Sequence, residues 1–130
     1  MPRPVSKYPT DLELQILKVL WQQSLPMLAR DVQAALGEGG RELAKTSVIT
    51  TLNTMVGKKY LKRKLQGNMY LFSPRISEDQ VSNRMLVDVV DRVFDGSASA
   101  VLMKLFDVKE IDTDELRELR TLINRKLNES

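Results

Sequence analysis

The chain has 130 residues, of which 42% are hydrophobic, and its formal net charge is +3. This length supports one modest domain, or a small domain with an appendage. Because cysteine and histidine are both absent, disulfides, the usual zinc and copper ligands and the Ser-His-Asp and Cys-His catalytic sets are excluded. We therefore predict no metal site, no cofactor, no catalytic residues and no enzymatic activity.

The hydropathy pattern argues against a membrane protein. No segment approaches the roughly 18 uncharged apolar residues that a membrane-spanning helix needs. The first residues, Met1-Pro2-Arg3-Pro4, are not followed by an apolar stretch, so we expect no secretory signal. The expected location is cytoplasmic, without direct membrane insertion.

The charge is unevenly distributed along the chain. Residues 1–75 hold 12 Lys and Arg against 5 Asp and Glu, whereas residues 76–130 hold 8 against 12. This asymmetry predicts that only the first segment meets a polyanion.

The first two predicted elements are helices. Thr10 and Glu13 have the spacing of a capping box, which predicts a helix that starts at Asp11 and ends near Ser24. A second helix is predicted from about Leu28 to Leu36, with Gly37 as its terminator.

The third predicted helix, Lys45–Val56, has two contrasting faces. Its core stripe comprises Val48, Leu52, Met55 and Val56. The opposite stripe is Thr46, Thr50, Asn53 and Gly57, flanked by Ser47 and Thr54. Threonine is a mediocre helix former, so its abundance here suggests a role beyond helix stability. Short hydroxyls and an amide suit the base edges of the major groove; a merely solvated polar face is the alternative.

A basic hairpin follows at once. Strict alternation places Lys62 and Lys64 on one face and Leu61, Arg63 and Leu65 on the other, with a turn at Gln66-Gly67-Asn68. In the returning strand Tyr70 and Phe72 share a face and are expected to pack onto the helices. A helix followed by a charged wing is the order used by a winged helix-turn-helix. The predicted DNA contacts are Lys45, Thr46, Ser47, Thr50, Asn53, Thr54, Lys58, Lys62, Arg63, Lys64 and Asn68.

Three further helices are predicted after Pro74, beginning with a second capping box at Ser77–Gln80 and ending with a helix capped by Asp112 or Thr113. So small a unit with so many apolar positions is marginal alone, which favours dimerisation over folding back onto the first domain. The predicted dimerisation residues are Met85, Val89, Val93, Val101, Leu102, Leu105, Leu116, Leu119 and Ile123.

These features together resemble the BlaI/MecI-type penicillinase repressor family, which also includes copper-responsive repressors. The matching stretches are Asp11–Leu14, Val19–Trp21, Arg41–Ala44, Thr46–Leu52, Tyr70–Pro74 and Phe94–Ser97. The resemblance implies a mainly α fold with a small β-wing. It would consist of a winged helix-turn-helix DNA-binding domain over residues 1–75 and a three-helix dimerisation region over residues 76–130.

The resemblance also implies a function. A homodimeric repressor would place its third helix in the major groove of a pseudo-palindromic operator with TACA and TGTA half-sites, controlling β-lactam-resistance-type or related stress genes. A membrane-embedded sensor protease would relieve repression by cutting the dimerisation region at an Asn-Phe bond. That position falls near Lys104-Leu105 here, so the scissile pair differs. The family often has an aromatic residue, an arginine and a glycine at the positions of Lys45, Thr54 and Lys59. The copper-responsive branch relies on a cysteine cluster that this chain lacks.

The sequence therefore predicts a DNA-binding transcriptional repressor. A winged-helix protein-interaction module that does not bind DNA stays open as the alternative.

Overall fold

The structure, a computed structural model, describes residues 8–130. The prediction that Met1–Pro4 carries no secretory signal concerns residues outside this range. The chain divides into two compact units, one ending at Met85 and the other comprising Leu86–Ser130.

The first helix, α1, spans Asp11–Trp21. The predicted capping box is confirmed, because the Glu13 amide donates to the Thr10 hydroxyl and the Thr10 amide donates to the Glu13 carboxylate. The helix ends earlier than the predicted Ser24, with Gln22 as its C-cap. The Trp21 indole N–H donates to the Ile76 carbonyl at 2.9 Å, which ties α1 to the segment that follows the hairpin.

The second helix, α2, spans Ala29–Glu38, and a two-residue strand, β1, precedes it at Met27–Leu28. The predicted start of this helix is confirmed to within one residue, because Leu28 is its N-cap, but the predicted terminator is wrong, because Gly37 lies inside the helix. The left-handed position that ends α2 is Gly40, with φ of 93°. The Arg41 amide donates to the Leu36 carbonyl at 2.8 Å, which completes a Schellman motif around Gly40.

The third helix, α3, spans Lys45–Gly57, as predicted to within one residue. Its predicted core stripe is confirmed: Val48, Leu52 and Met55 are fully buried, and Val56 packs partly buried against them. The core of the first unit gathers apolar side chains from all three helices and the sheet: Ile16, Leu17, Leu20, Val32, Leu36, Val48, Leu52, Met55, Leu61 and Phe72.

The sheet has three antiparallel strands in the order β1-β3-β2, where β2 is Leu61–Gln66 and β3 is Met69–Pro74. Gln66 pairs with Met69, which leaves a two-residue turn at Gly67 and Asn68. Gly67 has φ of 64°, and a glycine at the first central position suits a tight hairpin turn. Together α1, α2, α3 and this hairpin form a winged helix-turn-helix.

The remaining helices are α4 (Glu78–Val93), α5 (Ala98–Val108) and α6 (Thr113–Asn128). The starts of α4 and α6 follow the predicted caps. Ser77 and Gln80 form the second capping box, and Asp112, rather than Thr113, caps α6.

Candidate nucleic-acid interface

The face of α3 opposite the core is exposed and carries no negative charge. All six predicted contacts on this helix, Lys45, Thr46, Ser47, Thr50, Asn53 and Thr54, are exposed. The Thr54 hydroxyl donates to the Thr50 carbonyl at 2.9 Å, so its proton is used within the helix and its oxygen is left as an acceptor. The face therefore offers mixed, short hydrogen-bonding groups.

The surrounding sequence makes this region strongly basic. Between Glu42 and Glu78 there is no acidic residue, so the positive charges of α3 and the hairpin are not neutralised by neighbours in the chain. Within residues 8–130, Lys45, Lys62 and Lys64 are in no ion pair, and each is exposed. A polyanion would be attracted to this surface.

Lys58 is the exception among the predicted cations. Its Nζ lies 2.9 Å from Oε2 and 3.1 Å from Oε1 of Glu13, which is only 3% exposed. The Lys58 side chain is itself 25% exposed, and its Nζ lies 6.0 Å from the centroid of the Tyr60 ring. The Lys58 charge thus compensates a buried carboxylate in α1, a role that the sequence analysis did not predict.

Arg63 also has partners within the protein. Its Nη1 donates to Oδ1 of Asn53 on α3, and its guanidinium carbon lies 4.4 Å from the centroid of the Tyr70 ring. The prediction that both aromatics of β3 are core residues is half wrong. Phe72 is 3% exposed, but Tyr70 is 41% exposed because it pairs with Leu65 near the hairpin tip.

The space beside α3 and the hairpin holds one exposed side chain, Ile49, that the sequence analysis did not assign. A cavity of about 230 Å³ is lined by residues of α3 and the hairpin, among them Ile49, Asn53 and Tyr70, and by residues 28–30 at the start of α2. Ile49 is 36% exposed and lies one helical turn from both Lys45 and Asn53. The sequence holds one indication of this exposed position: Ile49 is apolar although it lies outside the core stripe of α3.

The second unit exposes an unusually apolar surface. No residue of Leu86–Ser130, all of which the structure describes, is buried. Among the predicted dimerisation residues, Met85, Val101 and Leu119 are partly buried, and the rest are exposed. The large apolar side chains that stay exposed in this unit are Leu86, Val87, Val89, Val93, Leu102, Met103, Leu105, Phe106, Val108, Leu116, Leu122, Ile123 and Leu127.

Two features are absent from the part of the chain from Tyr8 onward. None of its helices combines the length and the apolar character that crossing a bilayer requires. Its acidic side chains form no group of three that could hold a metal ion.

Comparison with known proteins shows the family of this chain. Residues 9–125 match the sequence model of the penicillinase repressor family. The chain belongs to the penicillinase repressor family. This family consists of transcriptional repressors, so the protein is a repressor of the BlaI/MecI type. None of the comparisons supports the alternative, a winged-helix protein-interaction module that does not bind DNA.

Several curated relatives are similar over most of their length. The transcriptional regulator BlaI of Mycobacterium tuberculosis is 29% identical over 111 residues, which cover 85% of this chain and 78% of that protein. The penicillinase repressor of Bacillus licheniformis is 22% identical over 125 residues, covering 92% and 91%. Among solved structures, the complex of hsRosR-S4 matches with a TM-score of 0.50 and 16% identity over 92% of this chain and 90% of that one. This last likeness concerns the fold alone.

Proposed function

We propose that this penicillinase repressor family member binds a pseudo-palindromic operator in double-stranded DNA as a homodimer, in the cytoplasm. In each subunit α3 would lie in the major groove, and the β2–β3 wing would lie along the backbone. The observation that carries the proposal is the exposed, uncharged hydrogen-bonding face of α3 beside cations that have no ion-pair partner in the described residues.

The structure divides the proposed contacts by chemistry. Base edges would be met by the hydroxyls and amide of α3, because short side chains approach the groove floor closely. Phosphates would be met by Lys45, Lys62, Lys64 and Asn68, together with the first turn of α3, whose N-cap Ala44 provides no side-chain hydrogen bond. Lys58 is left out of this set because its charge is paired with Glu13. The base-contacting set is Thr46, Ser47, Thr50, Asn53 and Thr54.

The proposed homodimer follows from the exposed apolar surface of the second unit. Monomeric proteins rarely leave so many large apolar side chains in water, and a second copy would cover them in a symmetric interface. We propose that residues 1–75 bind DNA and residues 76–130 hold the subunits together. Joining two DNA-binding units raises the overall affinity without a new contact to DNA.

The proposed targets are β-lactam-resistance-type or related stress genes, in line with the names of the relatives. A membrane sensor protease is the proposed route of induction. The candidate position, Lys104 and Leu105, lies within α5 and is exposed. Because a protease needs an extended substrate, α5 would have to unwind locally before cleavage there.

Selection of bound duplexes from a random pool tests the proposal. The wild type should enrich a two-fold related pair of half-sites about one helical turn, or a multiple of it, apart. Asn53→Ala should lose preference at one position of each half-site, since a good base contact is worth about 1–3 kcal/mol. A loss of operator affinity below about 0.5 kcal/mol would contradict the assigned reading face.

Asn83→Ala is the matched control, because Asn83 is also an exposed helical asparagine but lies outside the proposed interface. Sedimentation of the free protein at micromolar concentration should give the mass of two chains. A purified wild type that binds no duplex even at low salt would refute the proposed function.

A further inference from the structure

One side-chain cluster joins the recognition helix to the wing and is not explained by phosphate binding. Asn53 on α3, Arg63 on β2 and Tyr70 on β3 form this cluster, which we call the helix–wing clamp. The Arg63 guanidinium donates to Oδ1 of Asn53 and lies over the Tyr70 ring at 4.4 Å from its centroid. Both contacts act on the same group, so they restrict the position of the guanidinium.

The hydrogen bond within the clamp changes what Asn53 can offer. An asparagine pairs with adenine through two bonds, in which its oxygen accepts from the adenine amino group and its nitrogen donates to N7. Here the oxygen already accepts from a cation, and an adenine amino group would have to approach beside that positive charge. Oδ1 keeps a second lone pair, but that lone pair lies beside a positive charge, so the groups of Asn53 and Arg63 best suited to meet DNA are their N–H donors.

We propose that the helix–wing clamp is a specificity-determining unit that recognises acceptor atoms in DNA and discriminates against adenine. The acceptors that would give this discrimination are the O6 and N7 atoms of guanine, whose major-groove edge offers two acceptors, whereas phosphate oxygens carry no sequence information. This proposal rests on the proposed function, and it assigns Arg63 a role different from that of the neighbouring lysines.

The neighbouring residue Lys62 offers a matched control. Lys62 precedes Arg63 in β2 and points to the other face of the strand, so Lys62→Met removes the same charge without touching the clamp. Arg63→Met removes the donor to Asn53 and keeps an unbranched apolar side chain over Tyr70. Thermal unfolding of each variant establishes that it is folded before binding is measured.

Duplex selection is repeated with the wild type, Arg63→Met, Asn53→Ala and Lys62→Met. At the position where Asn53→Ala loses preference, we expect guanine in the wild type and a shift toward adenine in Arg63→Met, because the freed amide oxygen can then accept. Lys62→Met should leave this position unchanged. The double variant, Arg63→Met with Asn53→Ala, should bind DNA no more than about twofold less tightly than whichever single variant has the lower affinity, since the two residues act together.

Modified duplexes separate the two sources of acceptors. Replacing the guanine by 7-deazaguanine should weaken wild-type binding about tenfold and Arg63→Met binding much less, if the clamp contacts the base. If the clamp contacts phosphate instead, replacing one phosphate by a methylphosphonate should weaken wild-type binding. No base preference should then depend on Asn53. The first result supports the proposal, and the second would refute the specificity-determining role of the clamp.

Other outcomes overturn it. Adenine at the Asn53-dependent position of the wild type, or losses from Arg63→Met and Asn53→Ala that simply multiply, would refute the clamp while leaving the proposed function intact. A wild type that enriches no site would refute both.

Discussion

We predict that the charge of Lys58 stabilises the fold instead of binding DNA, and Lys58→Met tests this prediction. The replacement keeps an unbranched side chain but leaves the Glu13 carboxylate, 3% exposed, without its cation. Breaking a buried ion pair by removing one partner costs about 3–5 kcal/mol. Because Lys58 is 25% exposed, water replaces part of the lost interaction, and we expect a loss of about 2–3 kcal/mol.

The loss can be followed through the single tryptophan. Trp21 lies in α1, the helix that holds Glu13, so its fluorescence reports urea unfolding of the first unit at a fixed protein concentration. A loss of this size should lower the melting temperature by roughly 10–20 °C. The double variant Glu13→Gln with Lys58→Met removes both charges and should recover at least half of the lost stability.

Measurements of both stability and DNA binding can refute the prediction for Lys58→Met. At a temperature where both proteins are folded, Lys58→Met should bind DNA with the salt dependence of the wild type. An unfolding midpoint equal to that of the wild type would refute the stabilising role of Lys58, and a salt slope reduced by about 1 would show that Lys58 contacts phosphate.

Three further variants probe the wing, the end of α3 and the second unit. Lys62→Ala and Lys64→Ala should each weaken binding to all duplexes and reduce the slope of log K against log salt by about 0.9; a loss confined to the operator, measured by fluorescence anisotropy, would contradict this. Lys59→Gly should stabilise the protein by about 0.5–1 kcal/mol in urea unfolding, because φ at this position is 67°; a destabilised variant would contradict it. Leu102→Glu should shift sedimentation from two chains to one and weaken binding to a full operator more than to a half-site; an unchanged mass would place the interface elsewhere.

The starts of α1, α4 and α6 could be predicted from the sequence because their causes are local. Thr10 with Glu13, Ser77 with Gln80, and Asp112 each satisfy backbone N–H groups within a few residues of themselves. The buried stripe of α3 could be predicted equally well, since helical periodicity places Val48, Leu52 and Met55 on one face.

The helix ends were harder to place. Three glycines follow Leu36 closely, and a left-handed C′ residue can be any of them. Which one takes that conformation is decided by where the chain turns toward α3, and the structure selects Gly40 instead of Gly37. After α3 the left-handed position falls on Lys59, where the sequence alone gives no reason to expect it.

By itself the sequence determined the order of the helices and the hairpin and the exposed polar face of α3, because capping, periodicity and charge act over one or two helical turns. Only the tertiary structure decided which cations are free. Lys58 meets a carboxylate 45 residues away, and Arg63 meets an amide on another element. Such pairs arise from packing between elements, and no local pattern in the chain specifies them.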